Sequence, residues 1–249
     1  MMTSNLSSGA GSNVTNLNTL NSAILGYGNR YNPINAMITP VALHAVYLSG
    51  LSAVNAVDSF LPVNMNAKNN RSIAFDGLEK LTTRIANSFR SIVTNEPARE
   101  HVRSLINLIQ KGRVNPKKTK ATENGTTEDP TKVKEFTSHK SGYDKQLDNL
   151  YKLIQFLASF PLYKPNEADL TVAGLSALYS DLTAKNQAVT DTQIQLDNAR
   201  MNRETVLYKT DTGLVQLCDE SKSYIKSVFG ANSPEYRQVS KLKFRVYKH

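Results

Sequence analysis

The feature that most constrains how this chain can fold is that it repeats itself. Tyr31, Pro33, Ala36, Ile38, Thr39, Leu43, Ala45, Val46 and Tyr47 recur, in order and without a gap, as Tyr163, Pro165, Ala168, Leu170, Thr171, Leu175, Ala177, Leu178 and Tyr179. The same offset carries Ala56 and Val57 onto Ala188 and Val189. It also carries Asn66, Ala67, Lys68, Asn70 and Arg71 onto Asn198, Ala199, Arg200, Asn202 and Arg203. After a short insertion in the second copy, Gly77, Leu78 and Leu81 match Gly213, Leu214 and Leu217, and further on Pro97, Val102 and Leu105 match Pro234, Val239 and Leu242. Two copies of one half-chain fold into the same elements twice, so any fold class assigned to one copy holds for the other.

That class is read from the second copy. Leu175, Leu182, Val189, Leu196, Leu217 and Tyr224 follow a seven-residue spacing through residues 163–228, with Arg203 and Thr210 at the two polar steps. Such a spacing lays an apolar seam along a helix and requires other helices to cover it. In each copy a threonine, Thr39 or Thr171, stands where a long helix begins, and Pro40 follows the first as a first-turn proline. The first long helix is expected over about residues 40–60, ending near Pro62 and the Asn-rich passage 64–70, which suit a helix interior poorly. The second is expected to stop near residue 209 and turn back, because the insertion around Thr210, Asp211 and Gly213 suits a loop; the alternative is one unbroken helix, since four inserted residues are also about one helical turn. The fold class is therefore all-α: a duplicated antiparallel helical bundle of four main helices related by a pseudo-twofold, with short extra helices.

Organisation along the chain follows. Residues 1–12 read as a disordered N-terminal arm, 13–112 as the first helical repeat, 113–135 as a basic and polar connector, and 136–249 as the second repeat with a basic C-terminal tail. The chain has 249 residues, enough to bury a core without a disulfide, and its one cysteine, Cys218, can form no internal bridge. A lone thiol in an amphipathic helix reads as a small core hydrophobe. The N-terminus lacks the basic and apolar regions of a secretory signal, and the expected location is cytoplasmic. Residues 41–57 carry no charge, but they include His44, Ser49, Gly50, Ser52 and Asn55 and fall short of a membrane span. A buried helix with a small-residue face is expected there.

The net charge of +9 draws attention to polyanions. Its concentration in two places sets the candidate contacts: Lys111, Arg113, Lys117, Lys118 and Lys120 at the connector, and Arg237, Lys241, Lys243, Arg245 and Lys248 in the tail. Neither cluster has the interleaved aromatics of a stacking platform, so a solvated linker and a solvated tail are the plainer reading.

Catalytic chemistry has little to stand on. His44, His101, His139 and His249 are scattered, with no Glu-x-x-His or His-Glu-x-x-His pattern, and no metal site, cofactor site or catalytic residue is assigned. Gly26 and Gly28 read as a helix stop, and Cys218 has no local base. Glu167, Asp169 and Asp181, near the start of the second long helix, suit its positive end. Tyr31 and Tyr163 are expected to pack over helix ends with their hydroxyls at the surface.

The second copy, from Tyr163 and Pro165 through Asp169, Leu170 and Thr171 to the run Phe229-Gly230-Ala231-Asn232-Ser233-Pro234-Glu235-Tyr236, resembles a pattern of uncharacterised all-helical bacterial proteins. That resemblance implies helices and no activity. The expected function is a non-enzymatic structural or scaffold protein that self-assembles as a homo-oligomer through outer helix faces and flexible arms. The alternative is a basic helical module that binds nucleic acid or another polyanion.

Overall fold

The computed structural model describes residues 9–110 and 142–247, and every regular element among them is helical. Eight α-helices follow in order: α1 Gly9–Gly26, α2 Pro40–Asp76, α3 Leu78–Ile92, α4 Glu96–Gln110, α5 Gly142–Ala158, α6 Val172–Tyr208, α7 Leu214–Phe229 and α8 Pro234–Ser240. Short 3-10 helices at Ala36–Ile38 and Ala168–Leu170 precede the two long helices, α2 and α6, which have 37 residues each.

The residues at these starts explain why they recur. Thr39 accepts a bond from the Ala42 amide and donates to the Ala36 carbonyl, while Thr171 accepts from the Gly174 amide and donates to the Ala168 carbonyl. Each threonine thus satisfies a first-turn amide of the long helix and closes the preceding 3-10 turn.

Two boundaries differ from the sequence reading and a third agrees with it. Helix α1 begins at Gly9, so residues 9–12 leave the expected arm; Ala10, Gly11 and Asn13 are buried there with Val14 and Leu17. Helix α2 runs on through Pro62 and the Asn-rich passage to Asp76. An interior proline costs about 3 kcal/mol, and contacts with a neighbour offset part of that: Asn64 is buried and donates to Thr192 of α6 at 3.1 Å, with Val57 packed among Leu196 and Ala199. The antiparallel order of these contacts places the middle of α2 against α6. Helix α6 stops at Tyr208, as expected, and the loop that follows contains the insertion. Asp211 there adopts φ 66°, its amide bonded to the Gln216 side chain at 2.8 Å.

Two compact units form, one from Met1–Asn66 with Asp191–His249 and one from Ala67–Thr190. In the first, Leu17, Leu20 and Ile24 of α1 pack with Leu43 of α2, Leu207 of α6, Leu214 and Ile225 of α7, and Val239 of α8. In the second, Leu150 and Leu157 of α5 pack with Ile85 and Phe89 of α3, Val102 and Ile109 of α4, and Leu175 and Leu182 of α6. The units do not follow the sequence repeats. Each takes its leading helix from one repeat and its closing hairpin from the other, and α2 and α6 contribute to both.

The apolar seam is buried as its spacing predicts, at Leu175, Leu182, Val189, Leu196 and Leu217, but its members serve different cores. Over residues 41–57 the described residues bury one face of α2 and leave the other exposed, which corrects the expectation of a buried helix there. Leu43, Gly50, Ala53, Val54 and Val57 are buried, while Val41 is 81% and Leu48 51% exposed.

Candidate functional site

Two kinds of local construction stand out, the paired turns before the long helices and the C-terminal segment. In the turns, the Tyr31 hydroxyl donates to the Ile38 carbonyl at 2.7 Å and the Tyr163 hydroxyl to the Leu170 carbonyl at 3.0 Å, both bonds buried. The hydroxyls are therefore inside, contrary to the sequence expectation. The reason is that a carbonyl at the end of each 3-10 turn needs a donor where water is excluded. Burial pushes the Tyr31 phenol up to about 12 and raises that of Tyr163 as well. Each ring is held by the closing hairpin of the same unit, Tyr31 edge-on to Tyr224 at 5.1 Å and Tyr163 beside Phe89 at 5.8 Å.

Polar latches reinforce both turns. Asn35 donates to Glu220 at 3.2 Å, and Arg84 forms a two-pronged ion pair with Asp169. A cleft of about 530 Å³ beside the second turn is lined by Arg84, Ser88, Ser91, Lys164 and Glu167. Another, of about 510 Å³, is lined by Tyr208, Gln216, Asp219, Glu220 and Ser223. Burial raises the Asp219 carboxyl above its ordinary value, with Lys222 partly offsetting the effect. Neither lining includes a histidine or cysteine to act as nucleophile or base at neutral pH.

Cys218 is fully buried and its thiol is raised well above the ordinary value, chiefly by burial, which leaves it unreactive in the folded chain. Asp169 is paired with Arg84 and Asp181 with Lys185. His44 lies beside the Tyr47 ring, and His101 packs on Phe156 at 4.5 Å. Among the described residues no group of three or more His, Cys, Asp or Glu side chains could hold a metal ion.

The tail is the larger correction, since it is a docked segment over residues 241–247. Helix α8 opens with Ser233 accepting from the Tyr236 amide and Pro234 in its first turn, and closes on the buried Val239. The chain then runs back along α1. Asn16 donates to the Lys243 carbonyl at 2.9 Å; Asn13 donates to the Arg245 carbonyl at 2.7 Å and accepts from the Arg245 amide at 3.0 Å. Lys222 donates to the Leu242 carbonyl at 2.8 Å. Leu242 and Phe244 turn inward onto the core, and Lys241, Lys243 and Arg245 turn outward to solvent. Arg237 is exposed on α8. None of these four cations makes an ion pair among the described residues. Lys248 and the whole connector cluster, Lys111, Arg113, Lys117, Lys118 and Lys120, lie outside the described residues.

The clamp on the tail was the part sequence reasoning missed. Its one signal is that Asn13 falls on the apolar stripe of α1, four residues before Leu17, where a polar side chain requires a buried partner. Compared with protein-family models, curated proteins and solved structures, the chain matches none.

Proposed function

We propose that this chain is a non-enzymatic helical scaffold that self-associates, and that its two halves are copies of one half-chain arranged as an antiparallel bundle about a pseudo-twofold. The duplication is supported by paired details at a constant offset: the tyrosine bonds to Ile38 and Leu170, the Thr39 and Thr171 caps, and two long helices of equal length. In this reading an ancestral dimer of half-chains became one chain, with the leading helix of each half retained against the hairpin of the other.

The observation that carries self-association is the outer face of α2. Val41, Ala45, Leu48, Ser52, Asn55, Ser59 and Val63 are exposed at helical spacing, and none is charged. In a chain with 20% charged residues, a long uncharged exposed helix face is suited to a protein partner. An apolar window within Pro40–Ile92, of mean hydropathy 1.3 and 28% buried, also has the length and composition to cross a membrane. Composition of that kind is weak support for a span, since helices of soluble proteins share it.

The test is light scattering and electron microscopy of the full chain over a wide concentration range, beside the double variant Val41→Glu, Leu48→Glu. The expected result is an oligomer that the variant reduces to monomer with its helical signal intact. A chain that stays monomeric throughout removes the proposal, and one that floats with neutral lipid vesicles replaces it with a membrane role for α2.

A further inference from the structure

We infer that residues 237–245 form a preorganised ridge that binds the phosphates of a single nucleic-acid strand without reading its bases. A free basic tail would be a poor binder, because ordering each backbone residue costs roughly 1–2 kcal/mol on binding. Here that ordering is already done by the fold. Asn13 holds both backbone groups of Arg245, Asn16 holds Lys243, and Lys222 holds Leu242, while the inward Leu242 and Phe244 anchor the intervening positions.

The register makes a ladder of charge. Lys241 closes α8 in a helical conformation (φ −78°, ψ −15°), and from there to Arg245 half-buried and exposed residues alternate. In extended chain alternate side chains share a face about 6.6 Å apart, so Lys243 and Arg245 stand on one face, at a step comparable with that between successive phosphates of one strand, with Lys241 preceding them from the turn. Arg237 extends the exposed cations onto α8. On the α1 side no charge opposes the row, since that helix contains no charged residue; on the α7 side Lys222 bonds the Leu242 carbonyl, and Asp219 and Glu220 line the cleft beside Val246. On the adjoining α8, Glu235 is engaged by Arg30 at 2.8 Å.

The ridge offers no exposed aromatic row for stacking and no helix with a reading pattern, so recognition stops at the phosphates. A linear row suits one strand better than the two phosphate tracks of a duplex. The inference stands apart from self-association, since the ridge belongs to α8 and the tail, and the uncharged face belongs to α2.

Fluorescence anisotropy of the full chain with a labelled oligothymidylate tests it. With three or four phosphates neutralised, the Kd should rise about 20- to 50-fold between 50 and 200 mM salt. The triple variant Lys241→Ala, Lys243→Ala, Arg245→Ala should bind more weakly and lower the salt slope by about 2. Asn13→Ala and Asn16→Ala, made singly, change no charge yet should each weaken binding, because they release the ladder. Asn16→Ala keeps this arm informative if the buried Asn13 proves necessary for folding, which circular dichroism reports.

If the triple variant binds as the parent does, the ridge is not the site. If the folded asparagine variants bind as the parent does, charge alone acts and the preorganised ladder is wrong. Equal or tighter binding to duplex removes the single-strand assignment. Binding to phosphatidylserine vesicles without binding to the oligonucleotide transfers the site to lipid headgroups and overturns the inference.

Discussion

The Tyr31 hydroxyl donates to the carbonyl of Ile38, seven residues on, inside the first unit, and it does so from beneath the start of a 37-residue helix. The bond fixes the turn that aims α2, and it couples that turn to pH. The phenol is neutral in the fold and raised to about 12 by burial, against an ordinary value of 10.0. Below pH 10 both folded and unfolded chains keep the proton, and the stabilisation is fully present. Between pH 10 and about 12 only the unfolded chain ionises, so stability falls, in the limit by on the order of 2 kcal/mol from this group. Chemical denaturation at stepped pH should show that loss. Tyr31→Phe should be about 1 kcal/mol less stable at pH 7 and flatter between pH 10 and 12; a variant with the parent's alkaline slope would show that the phenol does not carry it.

A cut in the connector tests how the halves depend on each other. Because α1 packs against α7 and α8, and α5 against α3 and α4, neither fragment 1–112 nor fragment 136–249 contains a complete core. Co-expressed, the two should purify as a 1:1 complex with the helical signal of the intact chain. Expressed alone, each should be largely unfolded or a homodimer. A folded monomeric fragment would show that the exchange of leading helices is dispensable.

How much of this was legible in the sequence depends on which level is asked. Leu175, Leu182, Val189 and Leu196 sit seven apart, and the buried seam followed from that spacing because a helix face is set locally. The loop after Tyr208 followed from the insertion beside Gly213. The continuation of α2 past Pro62 did not, since propensity counts the local cost and not the long-range contacts, such as the bond of Asn64 to Thr192, that offset part of it. The exchange of leading helices was hidden for a related reason: apolar residues on α1 and α5 state that each helix needs a cover, not which repeat supplies it. The same holds for the candidate site. The cations of residues 237–245 were visible by charge alone, whereas their placement rests on the long-range bonds of Asn13 and Asn16.

Gly213 is required by close approach. Its amide donates to the Lys209 carbonyl at 2.7 Å, and a Cβ added there would lie 2.5 Å from that same backbone oxygen. Gly213→Ala should therefore cost about 1–3 kcal/mol, read as a lowered Tm, and alanine is also the poorer residue at the N-cap position that Gly213 holds. Gly77, at the corresponding place in the first copy, meets nothing within 4 Å, and Gly77→Ala should be neutral or stabilising. Equal effects at the two sites would mean that the inserted loop is not under this constraint.

Cys218 provides a probe of the first unit's core. It is fully exposed only when α7 leaves α1, since it packs among the residues those helices share, and burial holds the thiol in its protonated form. Reaction with a thiol reagent at pH 8 should be slow in native buffer and fast in denaturant, with the native rate tracking the opening of this core. Leu17→Ala, which removes a fully buried side chain from α1, should destabilise the unit by about 2–5 kcal/mol and raise the native labelling rate in proportion to the opening it permits. Leu150→Ala, an equally buried change on α5 in the other unit, separates local from global opening. If it accelerates Cys218 labelling as much as Leu17→Ala does, the two units unfold as one; if labelling stays slow while overall helicity falls, each opens by itself.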